Sequence, residues 1–343
     1  MLATETVEPR PKSRTIAEVA LQLRVTGVLA FLVVLGIIFS ALNARFPTPQ
    51  NLTVIASNAS ILAIVATAQT LVLLTRNLDV SVGSIMGFTA YLSADYAARH
   101  PDVGVELLLI ALVLGATLGA VNGTIVAYGR VSPLIATLGT MSLYRGLTYL
   151  YAHGQEVTAS KLPRWMLTSV DLRVAGMPLL VLVCAAVVLV TAVFLRAFPL
   201  GRRIYAIGSN PLASLFYGLR TERMILFAYT LSGLLCGFAG LLYAARVGTV
   251  TVILATGWEL TSLAAAVLGG VSVAGGSGSV IGAALGAVVL SAIDNGLVLL
   301  HIPEFWRMFV QGVAIVLAVG VDVAIGSRIR ESLKGQRFGG RLA

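Results

Sequence analysis

Three ionisable side chains stand inside or at the edge of long apolar stretches of this 343-residue chain: Asp79, Arg145 and Asp294. Charge in such surroundings costs about 2.5–3.5 kcal/mol per group on the membrane-insertion scale unless it is paired or hydrated. Arg145 and Asp294 fall at similar depths of their stretches and are expected to pair, with Asn295 completing the hydrogen bonds. Such a pair serves either the structure or a wet pathway. Asp79 precedes a helix expected to start at residue 80, and a carboxylate suits that N-cap. Twice, small residues and hydroxyls interrupt the apolar pattern: Thr75-Arg-Asn-Leu-Asp-Val-Ser-Val-Gly-Ser84 and Gly269-Gly-Val-Ser-Val-Ala-Gly-Gly-Ser-Gly-Ser279. Each reads either as a tight turn or as a broken helix, since non-helical backbone at membrane depth is tolerated only against protein or a wet cavity. In the second reading Asp79, Ser81, Gly83, Gly276, Ser277 and Ser279 line a route. Hydroxyls there offer hydrogen bonds to a neutral polar solute, and the glycines keep the bore open.

No catalytic constellation accompanies them. His100, His153 and His301 lie near stretch ends, and none has a Cys or His at ligand spacing. Cys184 and Cys236 lie inside apolar stretches and imply neither a disulfide framework nor a metal site. Gly275-Gly-Ser-Gly-Ser279 lacks the Gly-Lys-Ser/Thr ending of a phosphate loop. The lysines, Lys12, Lys161 and Lys334, follow no glycine-rich turn. The chain is expected to hydrolyse no ATP itself and to need no metal or cofactor.

The elements that position these residues are apolar. Hydrophobic residues form 57% of the chain and charged residues 11%, where a soluble protein carries about a quarter charged. Mean hydropathy is +0.92. Ten stretches, 25–42, 52–74, 80–98, 103–128, 134–151, 177–195, 224–245, 260–274, 280–300 and 305–325, suit a bilayer core crossed by about 20 residues per helix. The eighth is short enough for a half-helix. The expectation is an all-α polytopic membrane protein of about ten transmembrane helices, with the lipid bilayer as its solvent. The net charge of +9 marks topology rather than nucleic acid. With residues 1–24 inside, ten crossings return the basic segment 326–343 to the same side, and most Lys and Arg then face the cytoplasm. Gly115-Ala-Thr-Leu-Gly-Ala-Val121 resembles Gly282-Ala-Ala-Leu-Gly-Ala-Val288, five spans later. That is the spacing of an inverted five-helix repeat.

The largest inner loop, 196–223, carries Arg202 and Arg203 and then its own helix signals. Ser209 or Asn210 can cap a helix, Pro211 suits its first position and Gly218 its end. Leu212, Leu215 and Phe216 form one apolar face. A two-turn helix with such a face needs a partner: the membrane surface or a groove of another protein.

At this point the chain resembles the membrane permease subunits of ribose-type bacterial sugar ABC importers. The resemblance rests on Asn77-Leu-Asp-Val-Ser-Val-Gly83, Ala136-Thr-Leu-Gly-Thr140 with Tyr144-Arg-Gly146, Gly201-Arg-Arg-Ile-Tyr-Ala-Ile-Gly208 and Leu268-Gly-Gly-Val-Ser-Val-Ala-Gly-Gly-Ser-Gly278. It covers residues 52–325. The segment from Leu74 to Ile85, and Ala292-Ile-Asp-Asn-Gly-Leu-Val-Leu-Leu-His-Ile-Pro303, look most like the autoinducer-2 and rhamnose branches. Within the loop, Pro211-Leu212 follows Ser209-Asn210 where the family more often has acidic or polar residues. The resemblance implies a permease domain over 25–325, a coupling loop at 196–223, and import of a monosaccharide or sugar-like solute. It implies a separate cytoplasmic ATP-binding subunit, a periplasmic sugar-binding protein, and a second permease copy or paralogue. Arg202, Arg203, Gly208, Asn210, Leu212, Leu215, Phe216 and Gly218 would then face the ATPase. Glu156, Lys161, Arg164, Glu304 and Arg307, in expected outer loops, would receive the binding protein. An ion-coupled secondary transporter is the alternative: it would use the same broken helices and carboxylates without partners.

Overall fold

The computed structural model describes residues 16–170 and 172–313, together with residues 316 and 320. The first half holds α1 (Ile16–Leu42), α2 (Pro49–Leu74), α3 (Val82–Arg99), α4 (Glu106–Ala127) and α5 (Pro133–Ala152). An excursion follows, with a 3-10 turn (Ala159–Lys161), α6 (Arg164–Ser169) and the antiparallel strands β1 (Arg173–Val174) and β2 (Met177–Pro178), Arg173 opposite Pro178. Then come α7 (Leu179–Ala197), α8 (Pro199–Ser209), α9 (Pro211–Phe216), α10 (Thr221–Val247), α11 (Trp258–Leu268) and α12 (Val280–Leu299). A further helical segment starts at residue 304.

Among the described residues, five helices, α2, α4, α7, α10 and α12, are long and apolar enough to cross a membrane. The chain is an all-α, multi-pass membrane protein. Each of the first nine apolar stretches coincides with a helix, and α11 is short, as expected. α1 begins at Ile16 rather than near 25, because Ile16-Ala-Glu-Val-Ala-Leu-Gln-Leu is rich in good helix formers. Residues 1–15, the tail 326–343 and ten residues of the stretch 305–325 lie outside the described residues.

Burial separates the helices by role. The most apolar window of α2 is 94% buried and that of α7 only 28%. α2 is therefore the central post, while α7 shows Leu189 and Val190 to its surroundings. Where helices touch most closely they use small residues. A Cβ on Gly115 would strike the backbone of Gly233 and Gly237, and one on Gly119 would strike Tyr229 and Gly233. The α4–α10 seam thus depends on backbone-to-backbone approach, which lets helices pack without a hydrophobic drive between them. The echoing glycines of α12 do the same against α11: Gly282 meets Gly269, and Gly286 meets Ala265.

Candidate functional site

The first interruption is non-helical over 75–81 and the second over 269–279, and a third, at 248–257, lies between α10 and α11. The first is braced from within. Asp79 Oδ1 accepts from the Ser81 amide at 2.9 Å and from its hydroxyl at 2.6 Å. Asn122 donates to Ser81 Oγ at 2.6 Å, and Tyr144 donates to Asn122 Oδ1 at 3.1 Å and to the Leu118 carbonyl at 3.0 Å. Tyr229 holds the Leu78 carbonyl at 2.8 Å, and Thr137 takes the Val80 amide at 3.2 Å. Asp79, Ser81 and Asn122 are all 0% exposed. Asp79 therefore braces the loop ahead of α3, which starts two residues later than expected. The Ser81 hydroxyl has both a donor and an acceptor partner inside the protein. Gly83 packs beneath α11: a Cβ there would strike Glu259 and the Ala255 carbonyl. The position serves close packing.

The second interruption meets the start of the first and the end of α8. The Gly276 amide donates to the Leu74 carbonyl at 3.0 Å. A Cβ on Gly208 would strike both groups, and one on Gly276 would strike Ser209. Arg76 donates to the carbonyls of Gly208 and Ser209. Ser277 is exposed beside this junction, and Ser279 is buried at the start of α12.

Arg145 and Asp294 are not brought together. Arg145 donates to the Leu254 carbonyl at 2.7 Å, within the third interruption. Asp294 instead accepts from Arg307 at 3.0 Å and from Gln311 at 3.4 Å. Asn295 pairs reciprocally with Asn51 at 2.9 and 3.0 Å. The physical cause is the unwound backbone at 248–257, whose carbonyls receive the guanidinium, with the Glu259 carboxylate rather than Asp294 as the nearby opposite charge. Little in the sequence announces that break beyond Gly248 and Gly257.

Asp294 and Arg307 line a cavity of about 570 Å³ between α2, α10, α11 and α12. Its other polar groups include Asn58, Arg246 and Thr261, and the Tyr243 and Trp258 rings stand 4.8 Å apart at its wall. Asn58 lies 16 residues from Leu74 along α2, so cavity and junction are about 24 Å apart at 1.5 Å per residue. They occupy opposite ends of the bundle.

Beside the junction, α8 buries Ile204, Ile207 and Gly208 and exposes Arg202 and Arg203. Burial pushes the Tyr205 phenol up, and its hydroxyl donates to the Gly278 carbonyl at 2.9 Å. Asn210 caps α9 by accepting from the Ala213 amide at 3.0 Å, and Gly218 follows in a left-handed conformation at φ 73°. Leu212, Leu215 and Phe216 are 72%, 64% and 88% exposed. At the other end, Glu156, Lys161, Arg164 and Glu304 are exposed. Arg307 is committed to Asp294. Sequence reasoning missed Arg76, Asn122 and the cavity wall; a lone Asn within an apolar span was the available signal for Asn122.

The family described as branched-chain amino acid transport system / permease component matches residues 51–319. The ribose import permease protein RbsC of Escherichia coli (strain K12) is 38% identical over 303 residues, 86% of this chain and 92% of that protein. The autoinducer 2 import system permease protein LsrC of Photorhabdus laumondii is 33% identical over 321 residues, 92% of this chain and 93% of that protein. LsrC of Salmonella typhi is 36% identical over 314 residues, 91% and 89% respectively. No solved structure gives a significant match.

Proposed function

This chain belongs to the family of branched-chain amino acid transport system permease components, and from that premise we propose that it is the permease subunit of an ABC importer. Its cargo is a monosaccharide or sugar-like solute, of the rhamnose, ribose or autoinducer-2 kind, in keeping with the names of its relatives. It is a transport subunit of the bacterial inner membrane and not an enzyme; ATP hydrolysis belongs to a separate cytoplasmic subunit, and a periplasmic binding protein delivers the solute. A second copy or paralogue of the permease faces it.

The permease domain spans 25–325 in ten crossings, with the tails 1–24 and 326–343 in the cytoplasm. The helix pairing supports an inverted repeat of five. α4 packs on α10 as α12 packs on α2, and α3 packs on α10 as α11 packs on α2. Solute enters by the cavity around Asp294 and leaves through the closed junction at the other end. Asp79, Ser81 and Gly83 brace that closure, and Gly276, Ser277 and Ser279 shape it. Glu156, Lys161, Arg164 and Glu304 form the rim that meets the binding protein, with Arg307 behind them.

The observation that carries the reading is the apolar tip of α9. Leu212, Leu215 and Phe216 are exposed on a short, well-capped helix. Such a surface fits a groove in the ATPase subunit. Co-purification tests it: the tagged chain should retain an ATP-hydrolysing subunit, and Phe216→Asp should release that subunit while the permease stays in the membrane. Equal retention by the variant would refute α9 as the docking helix.

A further inference from the structure

Arg76 occupies the position just past the end of α2, with φ at 64°. Its amide bonds to the Leu73 carbonyl at 2.9 Å, and the Asn77 amide bonds to the Val72 carbonyl at 3.4 Å. That left-handed closing position favours glycine, which has no Cβ to crowd the turn. Gly218, Gly248 and Gly270 take left-handed positions after α9, α10 and α11; Arg130, His153 and His301 share the conformation at exposed loop ends. What sets Arg76 apart is where its side chain goes. The guanidinium crosses to α8 and donates through Nε to the Gly208 carbonyl and through Nη2 to the Ser209 carbonyl at 3.2 Å. These are terminal carbonyls of a helix, which lack intrahelical partners and carry the negative end of its dipole.

The surrounding backbone leaves no slack. Leu74 accepts from the Gly276 amide, and added Cβ atoms at Gly208, Gly275 or Gly276 would collide with Leu74, Arg76 or Ser209. Through Asn210, α8 runs directly into α9. Three segments far apart in sequence, 74–76, 208–209 and 275–276, therefore form one tight joint, and a planar fork spans two of them.

We infer that Arg76 is the positioning residue that transmits movement of α8 and α9 to the closed inner end of the pathway. The inference rests on the reading of α9 as the surface that meets the ATPase. A guanidinium tied to two carbonyls resists both sliding and rotation of α8 against the loop, so the joint moves as a unit. An ammonium, a single point donor, holds only one of them firmly.

The test uses the full chain in nanodiscs with its ATPase subunit, carrying Ser277→Cys in a background of Cys184→Ala and Cys236→Ala. Labelling of residue 277 by a charged maleimide is timed with and without ATP and vanadate. With Arg76 present, nucleotide should change the labelling rate about fivefold or more, the lower end of common coupling strengths. Arg76→Gly removes the guanidinium while relaxing the backbone. It should keep its abundance and thermal midpoint and continue to hydrolyse ATP, yet lose the nucleotide effect on labelling. Arg76→Gln should behave alike, and Arg76→Lys should retain part of the effect. An undiminished nucleotide effect in Arg76→Gly overturns the inference, as does a loss of stability with coupling intact in the folded fraction. Failure of the Arg76 protein itself to bind the ATPase or to respond to nucleotide would instead remove the reading of α9, and the inference with it.

Discussion

Asn122 ties two buried hydroxyls together, donating to Ser81 and accepting from Tyr144. Truncating it strands both, and a buried polar group without a partner costs about 1–3 kcal/mol. Asn122→Ala should therefore lower the thermal midpoint in detergent clearly. Thr117→Ala, on the exposed face of the same helix, should change the stability by less than about 0.5 kcal/mol and so barely move the midpoint. Equal effects would mean the network around Asp79 is not holding the loop. At this scale the sequence was half legible. Asp79 and Ser81 stand out because a carboxylate and a hydroxyl interrupt apolar residues. Their partner Asn122 lies 41 residues from Ser81, and only the fold brings it near. Arg145 and Asp294 show the opposite failure. Matched depth suggested a pair, but each found a nearer partner, Arg145 in backbone carbonyls and Asp294 in Arg307.

Elements carry the next level of constraint. The α4–α10 seam has no room for side chains at its glycines, so Gly119→Leu should force the helices apart at a cost of about 1–3 kcal/mol or more and reduce abundance. Gly139→Leu on α5, where nothing lies within 4 Å of an added Cβ, should be tolerated. Similar abundance of the two variants would argue against a backbone-packed seam. α9 was legible in detail, because Asn210, Pro211 and Gly218 each have a conformational role that requires their type. α8 was not. It is amphipathic, with Ile204 and Ile207 buried and Arg202 and Arg203 exposed, but it is only 11 residues long and holds Pro199, Gly201 and Gly208, which read as turn residues. The break at 248–257 escaped because threonine, valine and leucine there resemble an ordinary span end.

Across the whole molecule, a polar cavity lies at one end of the bundle and a tight glycine joint at the other. On the proposed orientation, this is the asymmetry of a pathway open to the periplasm and closed to the cytoplasm. Charges at the cavity end should steer the binding protein, since rim charges act mainly on association rate. Arg164→Glu should lower uptake when binding protein is limiting and leave it unchanged at saturation. Equal uptake at every concentration would remove Arg164 from the docking rim. The source of energy tests the account most directly. Proteoliposomes holding the permease, its ATPase subunit and the binding protein would be offered ribose and autoinducer-2 in parallel. Uptake of at least one should require ATP inside reach of the ATPase and persist when proton and sodium gradients are dissipated. Uptake by the permease alone, driven by an ion gradient, would contradict the account.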